Sequence, residues 1–216
     1  MVENIELKNS CQANWLQIYG NKIAVYLGIT ILMVGVTSYW RHHRNYQDLL
    51  ANKIFDIVLY AMSVNDNLTV KNNAMELLKY SNRTPYSRLA GLMLAKVFIM
   101  ENNLIEAEKI LNLVFHKQNT KDSIWHLANL RLIKVLLLQN KFSEAEKNIN
   151  LGIAAKKFMV SYQELLGDLL VANNKLADAN VQYQQAINNL PENTLAPWLQ
   201  LKINEIYENN GSIKTQ

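Results

Sequence analysis

LAKVFIMENNLIEAEKIL from Leu94, LIKVLLLQNKFSEAEKNI from Leu132 and LGDLLVANNKLADANVQY from Leu166 align without a gap. Each holds an alanine at the same place, Ala107, Ala145 and Ala179, spaced 38 and then 34 residues apart. Each alanine is preceded by an apolar residue three back (Leu104, Phe142, Leu176) and by an asparagine five back (Asn102, Asn140, Asn174). Apolar residues on both sides of the asparagine recur at helical rather than alternating spacing, and no β-branched period-two run occurs. The pattern therefore predicts helix, turn, helix, three times over, in an all-α chain.

A period near 34 with this content is the tetratricopeptide signature. Two antiparallel helices form each repeat, and a small residue at the start of the second sits where the first crosses closely. The third copy fits best: Leu166, Gly167, Leu170, Ala179, Tyr183, Ala186 and Pro191 take the large, small, large, small, aromatic, small and proline positions. The first two are looser, with Ala95 and Ile133 in place of the glycine and Val114 in place of an alanine.

Upstream, Tyr46 to Ser63 reads as a helix and Val70 to Tyr80 as a second, with Asn65, Asp66 and Asn67 supplying the turn. Downstream, Pro197 opens a last helix to about Tyr207, suited to cover the exposed end of the array. Asn209, Asn210 and Gly211 are expected to end it, leaving a disordered tail over 208–216.

From Ile23 to Trp40 eighteen residues carry no ionisable side chain, bounded by Lys22 and by Arg41, His42, His43 and Arg44. Such a helix spans about 27 Å, near the hydrocarbon thickness of a bilayer, with Tyr39 and Trp40 where interfacial aromatics are favoured. One transmembrane helix over 23–40 is the expectation, separating a 1–22 segment from a 41–207 helical domain. A cleaved signal peptide fits less well, because the run ends in Ser38, Tyr39, Trp40 and Arg41 rather than in small residues. A buried soluble helix is the other competitor. Local charge is nearly balanced across the span and does not orient it. Ala24, Gly28 and Gly35 share one face on which another membrane helix can approach closely, although such residues are also common in spans for no such reason.

Composition narrows the function. The chain carries 22 Lys plus Arg against 18 Asp plus Glu, a net charge of +4, spread without a cluster, and no nucleic-acid-binding module appears. Half its residues are apolar and Gly and Pro are scarce, which excludes a disordered or low-complexity chain. The single cysteine, Cys11, excludes an intramolecular disulfide and a paired-cysteine zinc site, and the polar residues before it do not suit acylation. No GxSxG, Gly-rich phosphate loop, HExxH or CxxC occurs, so no cofactor, metal site or catalytic residue is expected and the chain reads as a non-enzyme. His42 and His43 read as interfacial, and His116 and His126 as surface residues. Glu106 with Glu108 and Glu144 with Glu146 read as acids favoured at helix N-termini.

In tetratricopeptide arrays the first helix of each pair lines a concave groove. The family pattern implies that its lining here is Leu89, Leu92, Lys96, Ile99 and Met100; Leu127, Leu130, Lys134, Leu137 and Leu138; then Ser161, Glu164, Asp168, Val171 and Ala172. The first two sets are apolar beyond what intra-repeat packing needs, which calls for a covering partner such as a peptide. Equally, the Tyr46 to Tyr80 hairpin or the C-terminal helix fills the groove, and its leucines are then ordinary core.

Three stretches carry a resemblance: TPYSRLAGLMLAK from Thr84, the third repeat, and LQLKINEI from Leu199, with Leu199, Lys202, Ile203, Asn204 and Ile206. Over roughly residues 15–207 the chain resembles the YfgM family, the ancillary SecYEG translocon subunits of Gram-negative bacteria. The resemblance implies a single-pass inner-membrane protein, N-terminus cytoplasmic and helical domain periplasmic, associated with SecYEG and with the chaperone PpiD. It implies no catalysis and a link to envelope stress signalling. On this reading the groove meets unfolded or nascent polypeptides at the channel exit; a membrane-tethered scaffold for another envelope complex is the alternative.

Overall fold

The computed structural model describes residues 3–80, 84–116, 122–192 and 194–213, with side chains except those of 3–18, 21, 23, 44, 45, 47, 80 and 209–213. Among the described residues there is no strand. Helices α1 (Glu3–Ser63), α2 (Asn67–Tyr80), α3 (Pro85–Met100), α4 (Leu104–His116), α5 (Ser123–Leu138), α6 (Phe142–Gly152), α7 (Met159–Ala172), α8 (Leu176–Asn188) and α9 (Pro197–Ile213) follow one another, with one 3₁₀ turn, Lys156–Phe158, before α7. The chain divides into two units, Met1–Leu50 and Ala51–Gln216.

The first unit is helix wherever it is described. Val25, Tyr26, Leu32, Met33, Tyr39 and Trp40 are all exposed. From Ala24 onward α1 is long and apolar enough to cross a membrane, and its most apolar window buries nothing against protein. Ala24, Gly28 and Gly35 lie on this helix, and a Cβ added at Gly28 or Gly35 would meet nothing within 4 Å.

The second unit repeats one local device four times. Asn65, Asn102, Asn140 and Asn174 hold φ of 56°, 58°, 58° and 60°, the left-handed region that asparagine tolerates better than other side-chain-bearing residues. Around each, the next residue's N–H donates back five residues: Asp66 to Ala61 (2.9 Å), Asn103 to Phe98 (2.8 Å), Lys141 to Leu136 (2.9 Å) and Lys175 to Leu170 (2.8 Å). Each asparagine N–H donates three residues back as well, completing a Schellman closure of the first helix. Five residues beyond each asparagine, Val70, Ala107, Ala145 and Ala179 make the first bonds of the second helix, all fully buried.

The end of α1 and α2 are thus a fourth hairpin of the same kind rather than a plug for the groove. Phe55 meets Tyr86 of α3 at 5.8 Å between ring centres. The array is the expected helical-hairpin array, one hairpin longer than its three legible copies. Ala51, Phe55, Val58 and Ala61 begin a core that continues through α2 to α7, and a second cluster joins α8 to α9 through Ala179, Tyr183, Leu199, Ile203 and Ile206.

Ion pairs join successive hairpins. Lys71 pairs with Glu101 at 2.6 Å, and Lys141 with Glu108 at 2.7 Å, the same joint with its charges exchanged. Glu106 and Glu144 do sit in first turns, but Glu108 reaches across to the next repeat instead. Deeper, Arg88 of α3 is 1% exposed and donates through Nη1 and Nη2 to Asp122 at 2.6 and 2.8 Å. Asp122 is also the N-cap of α5, accepting from the Trp125 N–H at 2.8 Å.

Two expectations change. Helix α9 does not stop near Tyr207 but runs through Asn209, Asn210 and Gly211 to Ile213. These residues cost at most about 1 kcal/mol each in a helix, which discourages it without forbidding it. His126 is not a surface residue: it is 5% exposed, with Nδ1 3.0 Å from the Tyr162 hydroxyl and its ring stacked on Phe158 at 4.5 Å. It shares the inward stripe of α5 with Asn129 and Ile133, and this stripe meets α7. His116 is exposed as expected.

A concave cleft between α5 and α7

The first helices of successive hairpins stand side by side, so residues one turn apart on α5 face residues of α7. Leu127, Leu130, Arg131 and Lys134 of α5 and Ser161, Glu164 and Leu165 of α7 line a cleft of about 250 Å³. That is smaller than most small-molecule pockets and fits one or two side chains. Leu127 is 37% exposed, so the cleft has an apolar floor open to water.

Its charged groups are held differently. Arg131 donates through Nη1 to the carbonyl oxygen of Leu92 at 3.0 Å, and burial pushes the guanidinium below its usual value. Glu164 accepts from Lys202 of α9 at 2.8 Å, and the same ammonium lies 2.6 and 2.9 Å from the Asp168 carboxylate oxygens. Burial opposes the charge on Lys202, but its bonds to Asp168 and Glu164 outweigh it and its pKa ends above the ordinary lysine value. The Tyr183 hydroxyl donates to Asp168 at 2.7 Å; burial and then this carboxylate push the phenol up. Tyr183 lies over Gly167, where a Cβ would collide with its ring.

Among the predicted groove residues, Leu127, Leu130 and Lys134 come together here with Ser161 and Glu164. Leu89, Ile99 and Leu137 are half-buried and pack on the core, while Lys96, Met100 and Leu138 are exposed off this cleft. Leu92 is a correction: at 1% exposure it is core, with Arg131 bonded to its carbonyl, and offers no surface to a partner. Asp168 and Val171 belong to a neighbouring hollow of about 280 Å³ that Lys202, Glu205 and Ile206 of α9 also line. The C-terminal helix therefore engages the acids of the third repeat and leaves the α5–α7 cleft open. Arg131 and Leu165 were not among the expected lining; their places one residue after Leu130 and Glu164 were the available signal. Among the described residues no group of three His, Cys, Asp or Glu is placed to hold a metal ion.

Known proteins bear on the same architecture. The family model described as a tetratricopeptide repeat-like domain matches residues 13–208. No curated protein sequence matches the chain. Among solved structures it is similar to BtubC (BKLC) from P. vanneervenii, with a TM-score of 0.63 and 15% identity over 80% of this chain and 78% of that one. It is also similar to the nearly identical TPR-like repeats of a P. anserina kinesin light chain, with a TM-score of 0.58 and 14% identity over 79% of this chain and 88% of that one. At such identities the likeness shows the fold alone. With the family model spanning nearly the whole array, the chain belongs to the tetratricopeptide repeat-like domain family.

Proposed function

We propose that this protein is a non-catalytic, membrane-anchored interaction scaffold whose α5–α7 cleft holds a segment of a partner polypeptide. The observation that carries the reading is the open cleft, apolar at Leu127 and Leu130 and charged at its edges, in a fold family built for protein contacts. The apolar, exposed run of α1 supports an anchor. With the resemblance noted above, the finer reading is an ancillary subunit of the SecYEG translocon in the bacterial inner membrane. Its N-terminus is then cytoplasmic, its repeats periplasmic, and its partners a PpiD-type chaperone and emerging unfolded chains. Tethering beside a channel raises the effective concentration of such chains, so weak binding suffices.

A photo-crosslinker at Leu130 or Lys134 in intact membranes tests this. Recovery of translocon components, the chaperone or nascent chains is the expected result; recovery of a different envelope complex alone assigns the scaffold elsewhere. Protease protection on sealed vesicles must place the repeats on the periplasmic side, and a cytosolic location rejects the translocon reading.

A further inference from the structure

Helix α1 has two apolar faces. In the second unit Ala51, Phe55, Val58 and Ala61 turn into the array, while Ile57 and Tyr60, with Val64 just past the helix, stay 46%, 70% and 52% exposed. The end of a solenoid needs a polar outer face, and this one is apolar. Its spacing of three and four residues runs on through the sequence of the first unit. With Ile57 at position a of a seven-residue repeat, a also takes Ile29, Val36, His43 and Leu50, and d takes Leu32, Tyr39, Tyr46, Lys53 and Tyr60. Every one of these is exposed in its own unit. Tyr39 and His43 stack at 6.5 Å between ring centres, so a d and the following a share one face. Lipid covers such a stripe inside a bilayer, but Tyr46 to Val64 follow the basic border of the span, where water meets them.

We infer that α1 pairs in parallel with α1 of a second copy, as a two-stranded coiled coil along this a and d stripe. The inference rests on the reading of α1 as a membrane anchor, which sets both chains in one direction. Branched Ile29, Val36 and Ile57 at a favour two parallel strands over larger assemblies, and the lone polar a residue, His43, fixes the register by facing its own copy. Gly28 and Gly35 flank the stripe, and an added Cβ would meet nothing within 4 Å, so two backbones can approach there. Tyr46, Leu50, Ile57, Tyr60 and Val64 each leave roughly half of their surface open. At about 150–250 Å² for a large side chain, two copies cover about 1,000 Å² in water, the size a stable interface needs before packing between spans is counted. Lys53 meets its own copy at d and limits the affinity.

The test uses the full chain in native membranes, with Cys11→Ser as background and one cysteine introduced at a time. A disulfide needs its two Cα atoms within about 7 Å, which facing a and d positions offer and the far side of the helix does not. On mild oxidation Ile57→Cys and Tyr60→Cys are expected to give a species of twice the chain mass, about fivefold more than Asp48→Cys and Leu59→Cys, exposed but off the stripe. In detergent, Lys53→Leu is expected to tighten the dimer about tenfold by sedimentation, because it removes the like-charge pair. Ile57→Asp is expected to disperse it with helicity unchanged by circular dichroism. Equal yield at all four positions, no adduct at any, adducts with a different protein alone, or a Lys53→Leu chain that stays monomeric overturns the inference. A chain that alkaline carbonate strips from the membrane removes the anchor reading, and the pairing with it. A chain that resists carbonate and does not crosslink removes the pairing alone.

Discussion

Replacing Asp122 by alanine removes two things at once. It takes the carboxylate from Arg88, which lies 1% exposed with both terminal nitrogens on it at 2.6 and 2.8 Å, and it uncaps α5 at the Trp125 N–H. Breaking a fully buried pair costs about 3–5 kcal/mol. The Asp122 side chain is 40% exposed, so water replaces part of that interaction and about 2–3 kcal/mol is the better figure. Losing the cap adds about 1 kcal/mol, for a total of about 3–4 kcal/mol. Asp122→Asn keeps a capping oxygen and loses the charge, so it should cost less, about 2 kcal/mol.

Urea unfolding of the full chain in detergent, followed by far-ultraviolet circular dichroism, measures both. Because the pair joins two hairpins, the loss should also broaden the transition, as cooperativity between neighbours falls. The pH dependence supplies an independent check. The hydrogen bond from Arg88, ahead of the cost of burial, holds the Asp122 carboxyl below the usual carboxylate range. A depressed carboxylate contributes fully above its unfolded value, near pH 4, and its contribution is lost as pH falls through the lower folded value. The difference between wild type and Asp122→Ala should therefore shrink towards the cap term as pH falls below the unfolded value and through the lower folded one. Both variants within about 0.5 kcal/mol of wild type at pH 7 would refute the reasoning.

Three further outcomes follow from the same packing. Asn140→Ala should destabilise by about 1–2 kcal/mol, because φ of 58° strains any Cβ without a compensating amide, whereas Asn140→Gly should not; the same urea titration separates them. Gly167→Ala pushes a methyl into the Tyr183 ring and should cost about 1–3 kcal/mol, with a smaller loss when Tyr183→Leu is added, a coupling read by a double-mutant cycle. Leu92→Ser should lower the unfolding midpoint strongly, as expected for a core site, while half-buried Leu130→Ser should lower it less and instead weaken crosslinking to partners.

Much of the array was legible because packing writes small residues at fixed intervals: Ala107, Ala145 and Ala179 announce the crossing points by their size. The first hairpin was legible as two helices and a turn, but its kinship with the three copies was hidden because Val70, fully buried at the equivalent place, is not small. Asn65 carried the signal all the same, 37 residues before Asn102, since backbone conformation and not side-chain volume selects that position. Site residues were harder to read. The family pattern ranks Leu92 and Leu127 alike as groove positions, yet how deeply each sinks depends on its neighbours: Arg131 closes over the Leu92 backbone, while Leu127 stays open. His126 was misread because a polar residue near a turn looks solvated until Tyr162, 36 residues on, supplies a partner.

The bond from Lys202 to Asp168 spans 34 residues and ties α9 back to α7. Each hairpin before it closes through bonds five residues apart and can form during synthesis, in order, without waiting for what comes after. A ribosome-bound chain that has not yet released α9 therefore carries Glu164 and Asp168 without the ammonium that pairs them. The pairing of these two acids is in this way a property acquired only once α9 has joined the array.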